Sequence, residues 1–270
     1  MASVETRHIM LLSGGKDSTA LALYMKDKHP EREFEYLFCD THKELPETYE
    51  YLARIEAYLG RPVTRLSSGE GERGFDHFLK VYGGYLPSPK MRWCTRQLKI
   101  EPLEKYVGDD PVVMYVGIRA DEHRSGYIST KPNIKPVFPF KEDGINKADV
   151  FRLLEETGVG IPSYYEWRSR SGCYFCFFQQ RAEWVKLRER HPDLWESAKQ
   201  YEKEDEGYTW VQGESLRDLE NPDRIDEILR KEDQRRDRLA KRRKARNLSE
   251  AFGMTEPEED DEQACLICHL

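Results

Sequence analysis

Six consecutive residues, Ser13-Gly14-Gly15-Lys16-Asp17-Ser18, place two glycines, two hydroxyls, an ammonium and a carboxylate directly after a short apolar run. A glycine pair between a strand and a helix turns the backbone tightly and aims several N–H groups, with the positive end of the helix dipole, at an anion. Ser13, Lys16 and Ser18 add donors of their own, so the chemistry to expect is phosphate binding; the bland alternative is a polar turn. The spacing differs from the Gly-x-x-x-x-Gly-Lys of the Walker loop. A second set, Arg119 and Arg124 beside Asp121 and Glu122, offers guanidinium forks for phosphate or sulfate, with acids to orient them or help bind a metal. Its alternative is a surface ion-pair network. The third set is thiol chemistry: Cys39, Cys94, Cys173, Cys176, Cys265 and Cys268, with two of the gaps spaced Cys-x-x-Cys. In a chain of this size without an evident secretory leader, metal or redox chemistry is a better reading than disulfides.

Positioning these groups requires a sheet. His8–Leu12 reads as a strand and the stretch from Thr19 to Met25 as a helix packed on it. Phe34–Cys39 is a second strand ending at Asp40. A helix over Pro46–Leu59 has proline in its first turn and Gly60 placed to stop it. Val63–Leu66 and the β-branched run Val112–Ile118 are further strands, and Lys99–Val107 and Lys147–Thr157 further helices. Strands alternating with helices predict an α/β fold, a parallel twisted sheet flanked by helices in a Rossmann-like arrangement. Beyond residue 180 charged helical segments take over, at Arg181–Arg190, Asp193–Glu204 and Asp223–Arg246, the last without a clear apolar face. The expected organisation is a nucleotide-binding domain over 1–180, a charged helical extension over 181–250 and an acidic tail with Cys-x-x-Cys over 251–270.

The loop Ser13–Ser18 resembles the PP-loop of the ATP pyrophosphatases, which split ATP between its α and β phosphates. That resemblance implies bound ATP, a grip on pyrophosphate by Ser13, Gly14, Gly15, Lys16 and Ser18, and Mg2+ held with the help of Asp17. The stretch from Phe38 to Thr48 resembles the Asp-Thr-Gly-x-x-x-Pro-Glu-Thr segment of the phosphoadenosine phosphosulfate (PAPS) reductase superfamily, with His42 where glycine is usual. Val116 to Arg124 resembles the Gly-x-Arg-x-x-Glu-x-x-Arg segment of the same group. The resemblance implies that Asp40, Arg119 and Arg124 contact the nucleotide and that Lys16, Asp17 and Arg119 do the catalytic work. Arg92 to Leu103, with Cys94, and the later Gly172-Cys173-Tyr174-Phe175-Cys176 are similar to the cysteine segments that hold a [4Fe-4S] cluster in adenylyl sulfate reductases. Thr95 stands where the fourth ligand would be. Cys94, Cys173 and Cys176 are then candidates for a three-thiolate cluster with one open iron. Zn2+ completed by His42 or His123 is the rival, and metal-free buried thiols a third reading. Cys265 and Cys268 match the terminal signature of the sulfonucleotide reductases poorly.

The reading that follows is an ATP pyrophosphatase and transferase of sulfur metabolism. It would adenylylate a substrate with release of pyrophosphate, similar to the enzyme of DNA phosphorothioation and its tRNA-thiolating relatives. A true PAPS or adenylyl sulfate reductase is the first alternative. A nucleotide-binding accessory subunit of a nucleic-acid or phage-defence (CRISPR-associated) complex is the second. Of 270 residues, 34 % are charged and the net charge is −7, which argues against a globally basic nucleic-acid binder. The charge is nonetheless local: residues 230–246 hold ten basic and three acidic residues, and 256–262 hold six acids and no base. The basic run either contacts nucleic acid or is a solvated helix face. Absence of an 18-residue apolar run and of a signal-peptide pattern predicts a cytoplasmic location with no membrane contact. A sulfur-donor protein is a further expected partner.

Overall fold

A computed structural model describes residues 6–68, 74–123 and 130–244, with side chains to residue 241. Arg124, Cys265, Cys268 and the acidic run lie outside the described residues. The chain divides into two compact units, with the boundary between Tyr174 and Phe175.

In the first unit β1 (Arg7–Leu11), β2 (Glu35–Cys39), β3 (Val63–Leu66), β4 (Val112–Tyr115) and β5 (Ile134–Val137) form one sheet in the order β3-β2-β1-β4-β5. Every neighbouring pair is parallel, with Ile9 beside Glu35 and Met114 in the registers of β1. This is the predicted α/β, Rossmann-like class. β1 and β2 are nearly continuous apolar runs because helices cover both faces of a parallel sheet. β3 exposes its two middle residues and β5 carries Pro136, as edge strands can.

The helices follow their signals. α1 (Lys16–Lys28) buries nine of its thirteen residues. α2 (Pro46–Leu59) begins at its proline and ends on Gly60, left-handed at φ 67°. α3 (Phe75–Val81) and a short α4 (Trp93–Thr95) come before a π turn over Arg96–Ile100 that leads into α5 (Glu101–Val107). Pro102 brings no N–H to the carbonyl of Leu98, and the widened turn lies directly upstream. After α6 (Pro139–Glu142), α7 (Lys147–Glu156) starts on a capping box between Asn146 and Asp149 and packs along α1. Leu12, Leu23, Phe38, Tyr51, Ile55, Phe140 and Leu154 belong to the core between these layers. Two expectations change: the fourth strand stops at Tyr115, so that Val116–Ile118 form its exit, and β5 and α3 went unread.

The second unit is less solvated than its charge suggests. α8 (Arg181–Arg190), α9 (Pro192–Lys199) and α10 (Pro222–Lys244) gather around Trp184, Trp195 and Trp210, each at most 4 % exposed. Phe175 stacks on Trp210 at 4.8 Å. The buried Glu202 carboxylate accepts the N–H groups of Trp210 and Leu216 at 2.9 and 2.8 Å, which fixes the turn between α9 and α10. Burial of its carboxyl, only partly offset by these donors, raises its pKa. α10 does have an anchor, since Ile228 is 4 % exposed. Its apolar content is a few large residues separated by charges, which hides the period.

Candidate functional site

The strand order reverses between β1 and β4, and in such sheets the crevice beyond the carboxyl ends of the two strands receives the ligand. Ser13-Gly14-Gly15 leaves β1 there, with Gly15 as the residue capping α1. Gly14 has φ +70°, and a Cβ on it would stand 2.5 Å from Thr48 Cγ2. On Gly15 a Cβ would meet Ser171 Oγ at 2.7 Å, and on Gly117, across the crevice, the Asp17 carbonyl oxygen at 3.1 Å. Only glycine lets these three segments approach so closely.

The loop is held from several sides. Ser13 N–H donates to Ser18 Oγ at 3.1 Å, and Thr19 Oγ1 donates to the Gly15 carbonyl at 2.9 Å. The Tyr164 hydroxyl donates to the Gly14 carbonyl at 2.7 Å, and Lys16 N–H donates to the Tyr165 hydroxyl at 3.3 Å. Ser171 Oγ lies 3.3 Å from Ser13 Oγ.

Lys16, Asp17 and Arg119 converge across 102 residues of sequence. The Asp17 carboxylate, 2 % exposed, accepts Lys16 Nζ at 2.6 Å and Arg119 Nη1 at 2.8 Å. Arg119 also reaches Asp121 at 3.0 Å and Glu122 at 2.6 Å. Burial opposes both positive charges, but Tyr165 and Asp17 outweigh it at Lys16, and Asp17 with Glu122 outweighs it at Arg119, so both pKa values rise. Two permanent cations therefore face the loop, held by acids that an incoming phosphate can replace as partners.

Asp40 ends β2 and is 5 % exposed. It accepts the His42 N–H and the Tyr49 hydroxyl, each at 2.8 Å. Asp40, His42, Tyr49, Arg65 and Ser67 line an open cavity of about 440 Å³, within the range of small-molecule sites. Its exposed His42 imidazole faces Asp40 at 3.7 Å, and no thiol lines this cavity.

The four described cysteines are unpaired thiols. Cys173 lies 3.2 Å from Thr41 Oγ1 and 3.7 Å from Glu44 Oε1. Burial, then the charge of Glu44 and more weakly that of Cys94, pushes its pKa well up, with Lys99 and Thr41 opposing. Cys94 is thus close enough to act on Cys173. Cys39 donates to the Lys99 carbonyl at 3.5 Å, and burial pushes its thiol up to about 12. Cys176 belongs to the second unit. This donor set suits a soft metal centre, because beside two neighbouring thiols stands Glu44, 7 % exposed, whose Oε2 has no hydrogen-bond partner. Among the described residues, no group of three His, Cys, Asp or Glu side chains is arranged to hold a metal ion.

Residues that sequence reasoning missed form the supports. Arg168, 3 % exposed, donates to the carbonyls of Gly172 at 2.9 Å and Cys173 at 2.6 Å. Tyr174 N–H donates to the Lys43 carbonyl at 2.8 Å, tying the Gly-Cys loop to the turn after β2. Tyr164, Tyr165, Thr41 and Glu44 are single letters in irregular segments, and the one available signal was the pair of tyrosines after Pro162.

Parallel sheet, reversal point and glycine loop together define a nucleotide-binding α/β protein of the PP-loop kind. The sequence model of the phosphoadenosine phosphosulfate reductase domain matches residues 7–177, and the chain belongs to that family. An uncharacterized protein of Methanocaldococcus jannaschii is 29 % identical over 221 residues, covering 75 % of this chain and 44 % of the relative. The tRNA-specific 2-thiouridylase MnmA of Chlamydia trachomatis is 27 % identical over 203 residues, 64 % of this chain and 54 % of that protein. The chain thus spans about half the length of these curated relatives. Among solved structures, the PAPS reductase of Candida auris in its phosphate complex superimposes with a TM-score of 0.49 at 18 % identity, over 63 % of this chain and 82 % of that one. Among the described residues, no helix is long and apolar enough to cross a membrane.

Proposed function

We propose that this chain is a cytoplasmic ATP pyrophosphatase that adenylylates a substrate for sulfur transfer. The observation that carries the reading is the convergence of Lys16, Asp17 and Arg119 on a complete Ser-Gly-Gly-Lys-Asp-Ser loop at the reversal point of the sheet. The loop amides and the α1 N-terminus hold the phosphates. Lys16 and Arg119 leave their carboxylate partners for phosphate oxygens and stabilise the charge that develops as the α-phosphate is attacked and pyrophosphate leaves. Asp17, released from both cations, is the residue that would hold Mg2+, which neutralises phosphate charge when bound. Asp40 at the end of β2 is placed for a ribose hydroxyl, as acids at that strand end are in related sheets. Arg124 completes the proposed nucleotide contacts on the strength of its motif. Cys94 and Cys173, with Cys176 following at Cys-x-x-Cys spacing, are the residues that would hold a [4Fe-4S] cluster or Zn2+, and a cluster would supply sulfur or electrons. The identity shared with a tRNA-specific 2-thiouridylase supports sulfur transfer and a nucleic-acid acceptor.

Incubation with labelled ATP, Mg2+ and candidate acceptors tests the reading. Pyrophosphate and AMP should appear, and Lys16→Ala or Arg119→Gln should slow their release by about 100-fold or more, the usual effect of losing one charge-stabilising donor. ADP and phosphate as the products would overturn it. The family description favours a second reading, reduction of PAPS itself. Sulfite released from PAPS with a dithiol reductant, without turnover of ATP, would establish that reading instead.

A further inference from the structure

We infer that Glu44 is a protein ligand of the metal centre formed with Cys94 and Cys173, supplying a carboxylate oxygen where the thiols run out. The inference rests on the proposed metal centre and names a residue that the cysteine spacing does not. Three observations in the first unit carry it. Glu44 Oε1 lies 3.7 Å from Cys173 Sγ, a separation that two donors on one metal can have, since metal–sulfur bonds of ~2.3 Å and metal–oxygen bonds of ~2.1 Å at a tetrahedral angle span about that distance. Oε2 is buried without a hydrogen-bond partner, in a side chain only 7 % exposed. A buried carboxylate oxygen left unpaired costs ~1–3 kcal/mol or more, so an unmade bond at this oxygen calls for a partner. Finally, Glu44 lines a cavity together with Ser13, Cys39 and Lys99, at the foot of the phosphate loop.

Cys39 is the competing donor, and its geometry favours Glu44. Its thiol already donates to the Lys99 carbonyl at 3.5 Å, and it has no contact with Cys173 of the kind that Glu44 makes. The turn that presents Glu44 is also fixed: the Thr41 hydroxyl donates to Glu44 Oε1 at 2.8 Å, and Tyr174 N–H holds the Lys43 carbonyl. One carboxylate oxygen is thereby oriented while the other stays available. Oxygen ligation beside thiolates also leaves a more exchangeable position than a further thiolate would, as sulfur delivery requires.

The test is metal retention by the full-length chain, purified without oxygen and reconstituted either with ferrous iron and sulfide or with zinc alone. Iron, sulfide and zinc per chain, visible absorption and the rate of loss to a chelator are read for wild type, Glu44→Gln, Glu44→Cys and Thr41→Val. Glu44→Gln should lose metal to the chelator at least ~10-fold faster than wild type, while Glu44→Cys keeps the metal with an altered spectrum. Thr41→Val removes the hydrogen bond to Glu44 but not the carboxylate, so its retention should stay within about threefold of wild type. Circular dichroism identifies any variant that has failed to fold. If Glu44→Gln retains metal with the stoichiometry, spectrum and chelator resistance of wild type, Glu44 is not a ligand although the metal centre stands. Equal loss in Thr41→Val and Glu44→Gln would reduce Glu44 to a positioning residue and overturn the inference. A wild-type chain that takes up neither iron with sulfide nor zinc removes the metal centre itself.

Discussion

At the scale of single residues, the least comfortable backbone lies beside the site. His42 has φ +57°, and among the described residues it is the one non-glycine residue in the left-handed region. The resemblance noted in the sequence places glycine here, and the geometry explains why: a side chain in this conformation costs ~1–2 kcal/mol. The N–H of His42, held by Asp40 at 2.8 Å, keeps the turn in place despite that cost. Replacing His42 by glycine relieves the strain but adds the ~0.5–1 kcal/mol of extra chain entropy that glycine loses on folding. His42→Gly should therefore stabilise the chain by up to about 1 kcal/mol in denaturant unfolding. His42→Ala, which keeps a Cβ, should not stabilise it, and equal stability of the two variants would show that the strain is absent. Because the imidazole lines the cavity at Asp40, Tyr49 and Arg65, the glycine variant should also bind ATP more weakly. A gain in stability with a loss of affinity is the usual pattern where strain serves a site.

At the scale of elements, β1 and β2 are tied at their entry ends by charge. Arg7 donates to both Glu35 oxygens at 2.7 Å and to Asp110 at 3.0 Å, while the Tyr106 hydroxyl reaches Glu35 at 2.8 Å. The bond from Arg7, against the opposing effect of burial and with help from Tyr106, holds the Glu35 carboxyl below its ordinary value. A depressed carboxylate contributes stability that is complete above the unfolded value, ~4.3, and is lost as pH falls through the lower folded value. The side chain of Glu35 is 33 % exposed, so the contribution is discounted to about 1 kcal/mol or less. Glu35→Gln should therefore cost that amount at pH 7 and progressively less below pH ~4, read as the difference in unfolding free energy between the two proteins. A difference that is constant down to pH ~3 would place the effect in packing instead. The same elements show why parts of the fold were legible. β1, the loop and α1 follow in the order strand, glycine pair, amphipathic helix, and Val112 to Arg119 joins a β-branched run to a typed motif. Lys16, Asp17 and Arg119 could therefore be named before their contacts were known. β5 escaped because Pro136 sits inside four residues, and the π turn because nothing in its letters departs from a helix until Pro102. Glu44 and Tyr164 escaped because an irregular segment has no period; only the closure of the fold makes them neighbours of the loop.

At the scale of the whole molecule, the charge excess is unevenly spent along α10. Its first half is largely neutralised: Arg224 binds Glu214 and Glu227, Lys231 binds Glu227, and Arg235 and Arg236 bind Glu232. From Arg235 to Lys244 the helix has seven basic residues and one acid, Asp237. Arg236, Arg238 and Lys241 are exposed. A helix of this composition contributes nothing to a core beyond Ile228, so its charge bears on solubility or on a polyanion. On the proposed reading, with a nucleic-acid acceptor, it contacts phosphates. The logarithm of the binding constant for labelled RNA should then fall linearly with the logarithm of salt concentration, by ~0.7–0.9 per phosphate contacted. Changing Arg236, Arg238 and Lys241 together to glutamine should weaken binding at low salt and make the slope shallower by about two to three, with little dependence on RNA sequence. Pyrophosphate release from ATP alone, which uses only the loop and Arg119, should be unchanged in that variant. A salt slope unaltered by the triple substitution would reduce α10 to a solvated face, and the phosphate contacts would then have to be sought around the crevice of the first unit.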